Sequence, residues 1–390
     1  QATAEVFMPL SHPPGASQFD FGEARAIYRD GEIKVMFCVM SLPYSDAFFC
    51  QAFPRECTET FQEGHVRAFE FFGGVPKRIS YDNSKVAVAR IVGKRGKTPT
   101  REFLRLQSHY LHDHHFCLVR RPNEKGHTEN LVKYARRNFM VPVPEFDDFE
   151  EFNRRLAADC RKDLERKLRG QADTKGKLLE DDRQAMLSIP EERFEARRIK
   201  TGKVNTLSLA RFDRNDYSVP TEHAHRKVVL VGSIDRVRII ADDRVIAEHV
   251  RDWEKENVHY DPIHYLALLE RKPNGLDFGK PFEAWDLPDV FDILRRRLEN
   301  ESGGEGRREF IKILRLLEKH KLSDLTHAIG RALEIGAMTV DVVQVLLQEG
   351  RESPAKLFRL DGRPHLQDHS IPEPSISQYG DLVQRQEDPS

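Results

Sequence analysis

Three β-prone runs crowd the first 53 residues with almost no chain between them: SQFDFGEARAIYR (17–29), EIKVMFCVMSL (32–42) and DAFFCQAF (46–53), separated by a DG step and by PYS. Links this short can join only antiparallel neighbours, because a parallel return needs a crossover of a dozen or more residues. The chain is therefore expected to open with a three-stranded antiparallel sheet. After residue 56 the period changes. CTETFQEGHVRAFEFFGG (57–74) sets Phe61, Val66, Phe69 and Phe72 at helical spacing before a Gly-Gly stop, so FEFFGG reads as core. PKRISYDN (76–83) reads as a short strand ending in Asp82, TREFLRLQSHYLHDH (100–114) as a helix, HFCLVRRP (115–122) as a strand, and a further helix begins near Lys125.

The remaining sequence divides by composition. Residues 1–16, with four Pro or Gly between 9 and 15, read as an arm. Residues 17–145 form the α/β unit, and 146–203 a basic helical connector. Short alternating strands over 204–252 suggest a small β-barrel of about five strands, with turns at Asn215, Gly232 and Asp242-Asp243. Residues 253–350 are helical; there Phe310, Ile311, Leu314 and Leu317 form a stripe suited either to an internal bundle or to a partner. The Pro-containing 351–390 is expected to be a disordered tail. The five cysteines, at 38, 50, 57, 117 and 160, include no C-x-x-C pair, which fits a reducing compartment and suggests neither disulfides nor a cysteine zinc site. No apolar run approaches bilayer length and no basic-then-apolar leader opens the sequence, so a cytoplasmic protein is expected.

A net charge of -1 would argue against a polyanionic partner, but the distribution is uneven. Lys85 to Arg137 carries 13 Lys/Arg against 4 Asp/Glu, and Arg154 to Lys203 carries 15 against 10. The densest stretch, RRPNEKGHTENLVKYARRNF (120–139), surrounds Glu124 and Glu129 with cations. Glu129, Lys133 and Arg137 recur at i, i+4 and i+8 and share a helix face; a solvated salt-bridge ladder would have the same spacing. Three antiparallel strands and then helix, strand, helix, strand, helix is the ribonuclease H-like arrangement, a mixed five-stranded sheet with helices on its faces. In it Asp20 falls in the first strand, Asp82 at the end of the fourth, and Glu129 on the helix after the fifth. Carboxylates on rigid elements suit a pair of hard divalent ions about 3.5–4 Å apart, which can activate an attacking oxygen and stabilise a leaving one on a phosphodiester. Asp20 would be shared between the ions, with Asp82 and Glu129 completing one site each.

These residues resemble a known family. SQFDFGEA, the YDN after a strand, and above all Pro122, Lys125, Gly126 and Glu129 in a P-x-x-K-G-x-x-E pattern look like the IstA-type DDE transposases of bacterial insertion sequences, relatives of retroviral integrases. The resemblance covers most of residues 5–300. It implies Asp20, Asp82 and Glu129 as catalytic, metal-binding residues. The implied activity is Mg²⁺-dependent (or Mn²⁺-dependent) cleavage at transposon ends and joining of the 3′ hydroxyls to target DNA. It also implies a dimer or tetramer and an AAA+ ATPase as helper. The 46 residues between Asp82 and Glu129 exceed the interval in those integrases, so an insertion is expected around VGKRGKTPTRE. The family's N-terminal helix-turn-helix modules do not precede Asp20, so a truncated enzyme is expected. Lys85, Lys94, Arg95, Lys97, Arg120, Arg121, Lys125, Lys133, Arg136 and Arg137 are the expected DNA contacts.

The sequence also admits rival readings. A nuclease of the same fold would cut without joining, and an inactive scaffold would only bind ends and recruit an ATPase. His109, His112, His114 and His115 have a spacing that could ligate zinc. Glu23 is a reserve for Asp20, Asp30 belongs to a turn, and Glu124 is a decoy in the loop. Asn83 could orient the site or cap the segment after it. Arg211, Arg214, Arg226, Lys227, Arg236 and Arg238 could give the small barrel a DNA-backbone contact.

Overall fold

The computed structural model describes residues 13–81, 88–92, 96–117 and 126–349, with the side chains of 88–92, 96–98 and 126–131 left out. The expected arm, the tail, and the segments carrying Asp82, Asn83 and Glu124 fall wholly or largely outside the described residues.

Strands β1 (Ala16–Tyr28), β2 (Gly31–Leu42) and β3 (Ala47–Phe53) form the expected meander. The first link is tighter than the DG step suggested. Tyr28 already pairs with Gly31, so the two turn residues are Arg29 and Asp30, both left-handed, as a two-residue hairpin turn requires. Helix α1 (Thr58–Phe72) leads to β4 (Arg78–Tyr81), which returns parallel to β1. A hairpin of β5 (Val88–Val92) and β6 (Gly96–Pro99) occupies the expected insertion. Helix α2 (Arg101–Tyr110) precedes β7 (Asp113–Phe116), which begins two residues earlier than the sequence suggested and lies parallel to β4. Then come α3 (Gly126–Phe139), the short β8 (Glu145–Phe146) and α4 (Phe149–Asp163). The sheet order is β3-β2-β1-β4-β7, with β8 also pairing β1.

Strand alternation explains the two cores. On β2, Cys38, Met40 and Leu42 join Phe61, Val66, Phe69 and Phe72 of α1 on one face. Val35, Phe37 and Val39 join Val132 and Ala135 of α3 and Phe152, Leu156 and Cys160 of α4 on the other. Helix α4, expected in a connector, is therefore part of the core. Its Asn153 also closes the sheet edge: the side chain accepts from Ala52 N–H at 2.7 Å and donates to Ala52 C=O at 2.9 Å, mimicking a further strand. Helix α5 (Lys175–Ala185) adds Leu179 to the α1 side.

The β-rich segment starts earlier and ends later than 204–252. It comprises β9 (Arg198–Lys203), β10 (Leu209–Phe212), β11 (Asn215–Ser218), β12 (Lys227–Gly232), β13 (Arg236–Ala241), β14 (Arg244–Val250) and β15 (Val258–His259). These form two sheets, β14-β13-β12-β9 and β10-β11-β15, around one core that includes Phe212, Tyr217, Leu230 and Ile239. Asp242-Asp243 is a turn, as expected, but Asn215 and Gly232 are not. Asn215 is buried in β11, where its amide donates to the carbonyls of Asp252 and Glu254, and the turn is Asp213-Arg214. Gly232 is the last residue of β12, and the position is a glycine because a methyl group there would lie 2.3 Å from the Phe212 ring.

The chain divides into two compact units, Gln1–Leu268 and Leu269–Ser390, the short α6 (Leu266–Leu269) marking the boundary. The second contains α7 (Gly275–Phe278), α8 (Asp289–Ser302), α9 (Gly304–Leu314), α10 (Leu322–Ile335) and α11 (Val340–Glu349). Phe310, Ile311, Leu314 and Leu317 are all buried there, so the stripe serves an internal bundle. Among the described residues no helix is long and apolar enough to cross a membrane.

Candidate active site

Parallel pairing of β1 with β4 ends at Phe19 opposite Tyr81. The next residue on β1 is Asp20; the residue after Tyr81 is Asp82, which lies outside the described residues. Asp20 is part-buried, and its Oδ1 accepts from the Phe21 amide at 2.8 Å. By strand alternation it shares a face with Gly22 and Ala26, the face that α3 covers. The approach of α3 is close at Gly22: a methyl group there would fall 2.7 Å from Val132 and 2.5 Å from the Phe37 ring. One helical turn before Val132 stands Glu129, whose backbone is within α3 and whose side chain is outside the described set.

The reserve carboxylate does not fit. Glu23 is three residues from Asp20 and so on the opposite face; it is ion-paired with Lys34, and its carbonyl accepts from Arg136 Nε at 2.9 Å. Asp30 is in the turn, as expected. Of the expected DNA contacts, Lys133, Arg136 and Arg137 are exposed on α3. Lys97 is on β6 without a described side chain, and Lys85, Lys94, Arg95, Arg120, Arg121 and Lys125 lie outside the described residues. The β-rich cations are mostly neutralised: Arg211 pairs with Glu256 and Asp216, Arg226 with Asp242, Arg236 with Glu248 and Asp235, and Arg238 with Glu195. Those pairs weaken the case for them as phosphate contacts, while Arg214 and Lys227 are exposed.

The histidines do not gather. His109 Nε2 lies 3.0 Å from the carbonyl of Glu192, whereas His112 turns into the core. Among the described residues no group of three His, Cys, Asp or Glu could hold a metal, which removes the zinc reading for this cluster. The proposed donor set is three carboxylates, a hard-oxygen set that fits Mg²⁺ or Mn²⁺.

Sequence reasoning missed what lies behind Asp20. His65 of α1 is fully buried, stacks on Phe19 at 3.9 Å between ring centroids, and has Nε2 3.1 Å from the Tyr81 hydroxyl. His112 Nε2 lies 3.2 Å from the same hydroxyl. Burial pushes His65 down to about 3 and His112 down to about 4, so both rings are neutral, and it raises Tyr81 far above its ordinary range. Nothing in EGHVRAF marks His65, because its partners are distant in sequence.

Known proteins resemble this chain along most of its length. Residues 189–261 match the family model described as Mu transposase, C-terminal domain. A transposase from Aminobacter aminovorans is 34% identical over 88% of this chain and 68% of its own length. The transposase for insertion sequences IS1326/IS1353 from Pseudomonas aeruginosa is 31% identical over 89% of this chain and 69% of its own. The transposase for insertion sequence element IS21, also from Pseudomonas aeruginosa, is 30% identical over 66% and 67%. Among solved structures, the HTLV-2 integrase catalytic core domain in complex with magnesium (trimeric form) aligns at 14% identity and a TM-score of 0.30, covering 43% of this chain and 96% of that one.

Proposed function

The chain belongs to the transposases of bacterial insertion sequences, and from that premise we propose that it is a DDE strand transferase whose reacting centre is Asp20, Asp82 and Glu129. The observation that supports this reading is the Phe19–Tyr81 pairing: it brings the neighbouring parallel strands β1 and β4 into register at the two residues that immediately precede Asp20 and Asp82 in sequence. The close seat of α3 on Gly22 supports assigning the third carboxylate to Glu129. Bound Mg²⁺ or Mn²⁺, two ions per site, would supply Lewis-acid stabilisation of the phosphodiester's developing charge. The protein's own part is to hold three carboxylates on rigid elements and to grip the DNA backbone. Lys133, Arg136 and Arg137 give α3 a cationic surface, and Lys85, Lys94, Arg95, Lys97, Arg120, Arg121 and Lys125 would extend it. In this reading the protein works on bacterial DNA in the cytoplasm, pairs two transposon ends as a dimer or tetramer, and receives target DNA with an AAA+ ATPase. Helix α4 belongs to the α/β core, and the β-rich segment from β9 to β15 lies in the same compact unit.

The test is strand transfer of a pre-cut transposon-end duplex into a target plasmid in Mg²⁺, with the parent protein beside Asp20→Asn and Glu129→Gln. The expected result is joining by the parent alone, with end binding retained in both variants. Nicking of the target plasmid without joining by the parent would replace this reading with a nuclease, and joining by either variant would remove that residue from the centre.

A further inference from the structure

The buried side chains behind Asp20 form a chain whose hydrogen-bond direction can be worked out. His65 Nδ1 lies 2.7 Å from the carbonyl oxygen of Phe61, which can only accept, so Nδ1 carries the proton. In a neutral ring Nε2 is then bare, and it accepts from the Tyr81 hydroxyl at 3.1 Å. The hydroxyl proton is thereby used, so His112 Nε2, at 3.2 Å, must be the donor to the hydroxyl oxygen. That leaves His112 Nδ1 bare, and among the ring nitrogens and hydroxyl of these three residues it is the one without a hydrogen-bond partner. The links run one way: His112 to Tyr81, Tyr81 to His65, His65 to the α1 backbone. Tyr81 and His112 are each 1% exposed and His65 is 0% exposed, so water does not compete for these bonds.

The placement of one imidazole matters most. His65 lies under Phe19, the residue before Asp20, with the rings stacked at 3.9 Å and 30°. It also bonds Tyr81, the residue before Asp82. We propose that His65 is a positioning residue for the reacting centre, and that its simultaneous hold on Phe19 and Tyr81 fixes the two strand positions that immediately precede Asp20 and Asp82 in sequence. A residue that only filled the core would need shape there; an imidazole adds direction, since the Tyr81 hydroxyl has one proton to donate and His65 Nε2 is the atom that accepts it. This inference rests on the reading of Asp20 and Asp82 as metal ligands, and it concerns neither residue's own chemistry.

The experiment uses the full chain with a pre-cut end duplex, and Mn²⁺ alone as the probe, its binding read by electron paramagnetic resonance. Tyr81→Phe, His65→Gln and His65→Leu are compared with the parent and with Asp20→Asn, and thermal midpoints and duplex affinity are recorded for each. The expected result is a weakening of Mn²⁺ binding by about 10- to 100-fold in Tyr81→Phe and His65→Leu, the range found when groups supporting metal ligands are removed. His65→Gln, which keeps an acceptor for the hydroxyl, should recover part of it, and duplex affinity should be unchanged. A lowered thermal midpoint with unchanged Mn²⁺ affinity would overturn the proposal, leaving the chain a purely structural network. Should His65→Leu fail to fold, Tyr81→Phe, which loses one oxygen, decides alone. Asp20→Asn separates the two levels: if it binds Mn²⁺ like the parent, the carboxylate reading itself fails. If Asp20→Asn abolishes binding while the network variants match the parent, only the positioning role fails.

Discussion

At Gly22 the reason for the residue is space. The nearest atoms to a methyl group there belong to Phe37, fully buried, and to Val132, so neither can move away cheaply. Gly22→Ala should therefore lift α3 from β1 and destabilise the protein by about 1–3 kcal/mol, the range for overpacked cores. Urea unfolding measures the loss, and an unchanged midpoint would show that α3 is not seated through this position. The buried histidines make a second expectation. An ordinary imidazole titrates near 6.5, whereas His65 is pushed down to about 3, and His112 and His264 to about 4. Between about pH 6.5 and 4 the unfolded chain thus takes up protons that the folded chain refuses, so stability falls as pH is lowered through that window. Each group contributes roughly 1.4 kcal/mol per pH unit. Denaturation midpoints at pH 7, 6 and 5 should drop before ordinary carboxylates begin to titrate; a flat profile from 7 to 5 would show that these rings are charged when folded.

Among the elements, α3 has the most depending on it, and it is held on two sides. Val132 meets β1 at Gly22, while the Tyr134 hydroxyl donates to Asp163 Oδ1 of α4 at 2.9 Å. Asp163 is also bonded by Lys175 Nζ at 2.8 Å, and the same ammonium reaches Asp46 Oδ2 at 2.6 Å in the β2–β3 loop. Lys175 is 2% exposed, so this is a buried cation shared by two carboxylates. Lys175→Met should cost on the order of 3–5 kcal/mol, because Asp163 and Asp46 lose their common cation. A calorimetric midpoint within a degree of the parent's would contradict that. The elements themselves were legible, because short links and a switch from period 2 to helical period are local signals: β1 to β3, α1, α2 and α3 stand within a few residues of where the sequence puts them. The place of Asp20 on β1 was legible as well. Asn215 and Gly232 were misread as turns because their roles are set by Asp252, Glu254 and Phe212, which are remote in sequence or across a sheet. Tyr134, Lys175 and His65 left no local trace for the same reason.

In the first unit as a whole, the β-rich segment is fastened to the α/β core by charge. Glu59, in the first turn of α1 and 0% exposed, has Arg251 Nη2 at 2.9 Å and Arg198 Nε at 3.2 Å. Asp213 binds the same two guanidinium groups, at 3.1 and 3.2 Å, and pairs with Arg55 beside α1. Arg251 also lies over the Trp253 ring at 3.8 Å. Neither Glu59 oxygen has an aligned hydrogen-bond partner, so these ion pairs are what offsets the desolvation of its charge. The α1 N-terminus adds a favourable dipole. If the cluster joins the two parts mechanically, they should unfold together, and the pattern of mutant effects should be non-additive. Glu59→Leu alone leaves Arg251 with Asp213 as its carboxylate partner, and Arg251→Met alone leaves Glu59 with Arg198, so each weakens but does not strand a buried charge and should cost about 1–3 kcal/mol. The double variant removes both charges from the same place and should cost clearly less than the two losses added, an interaction of about 1–3 kcal/mol. Urea unfolding tracked by both tryptophan fluorescence and far-ultraviolet dichroism measures this cycle. Additive losses, or transitions that separate between the two probes in the parent, would mean that the β-rich segment is held by its apolar contacts and that the buried charges do not couple it to the sheet β3-β2-β1-β4-β7.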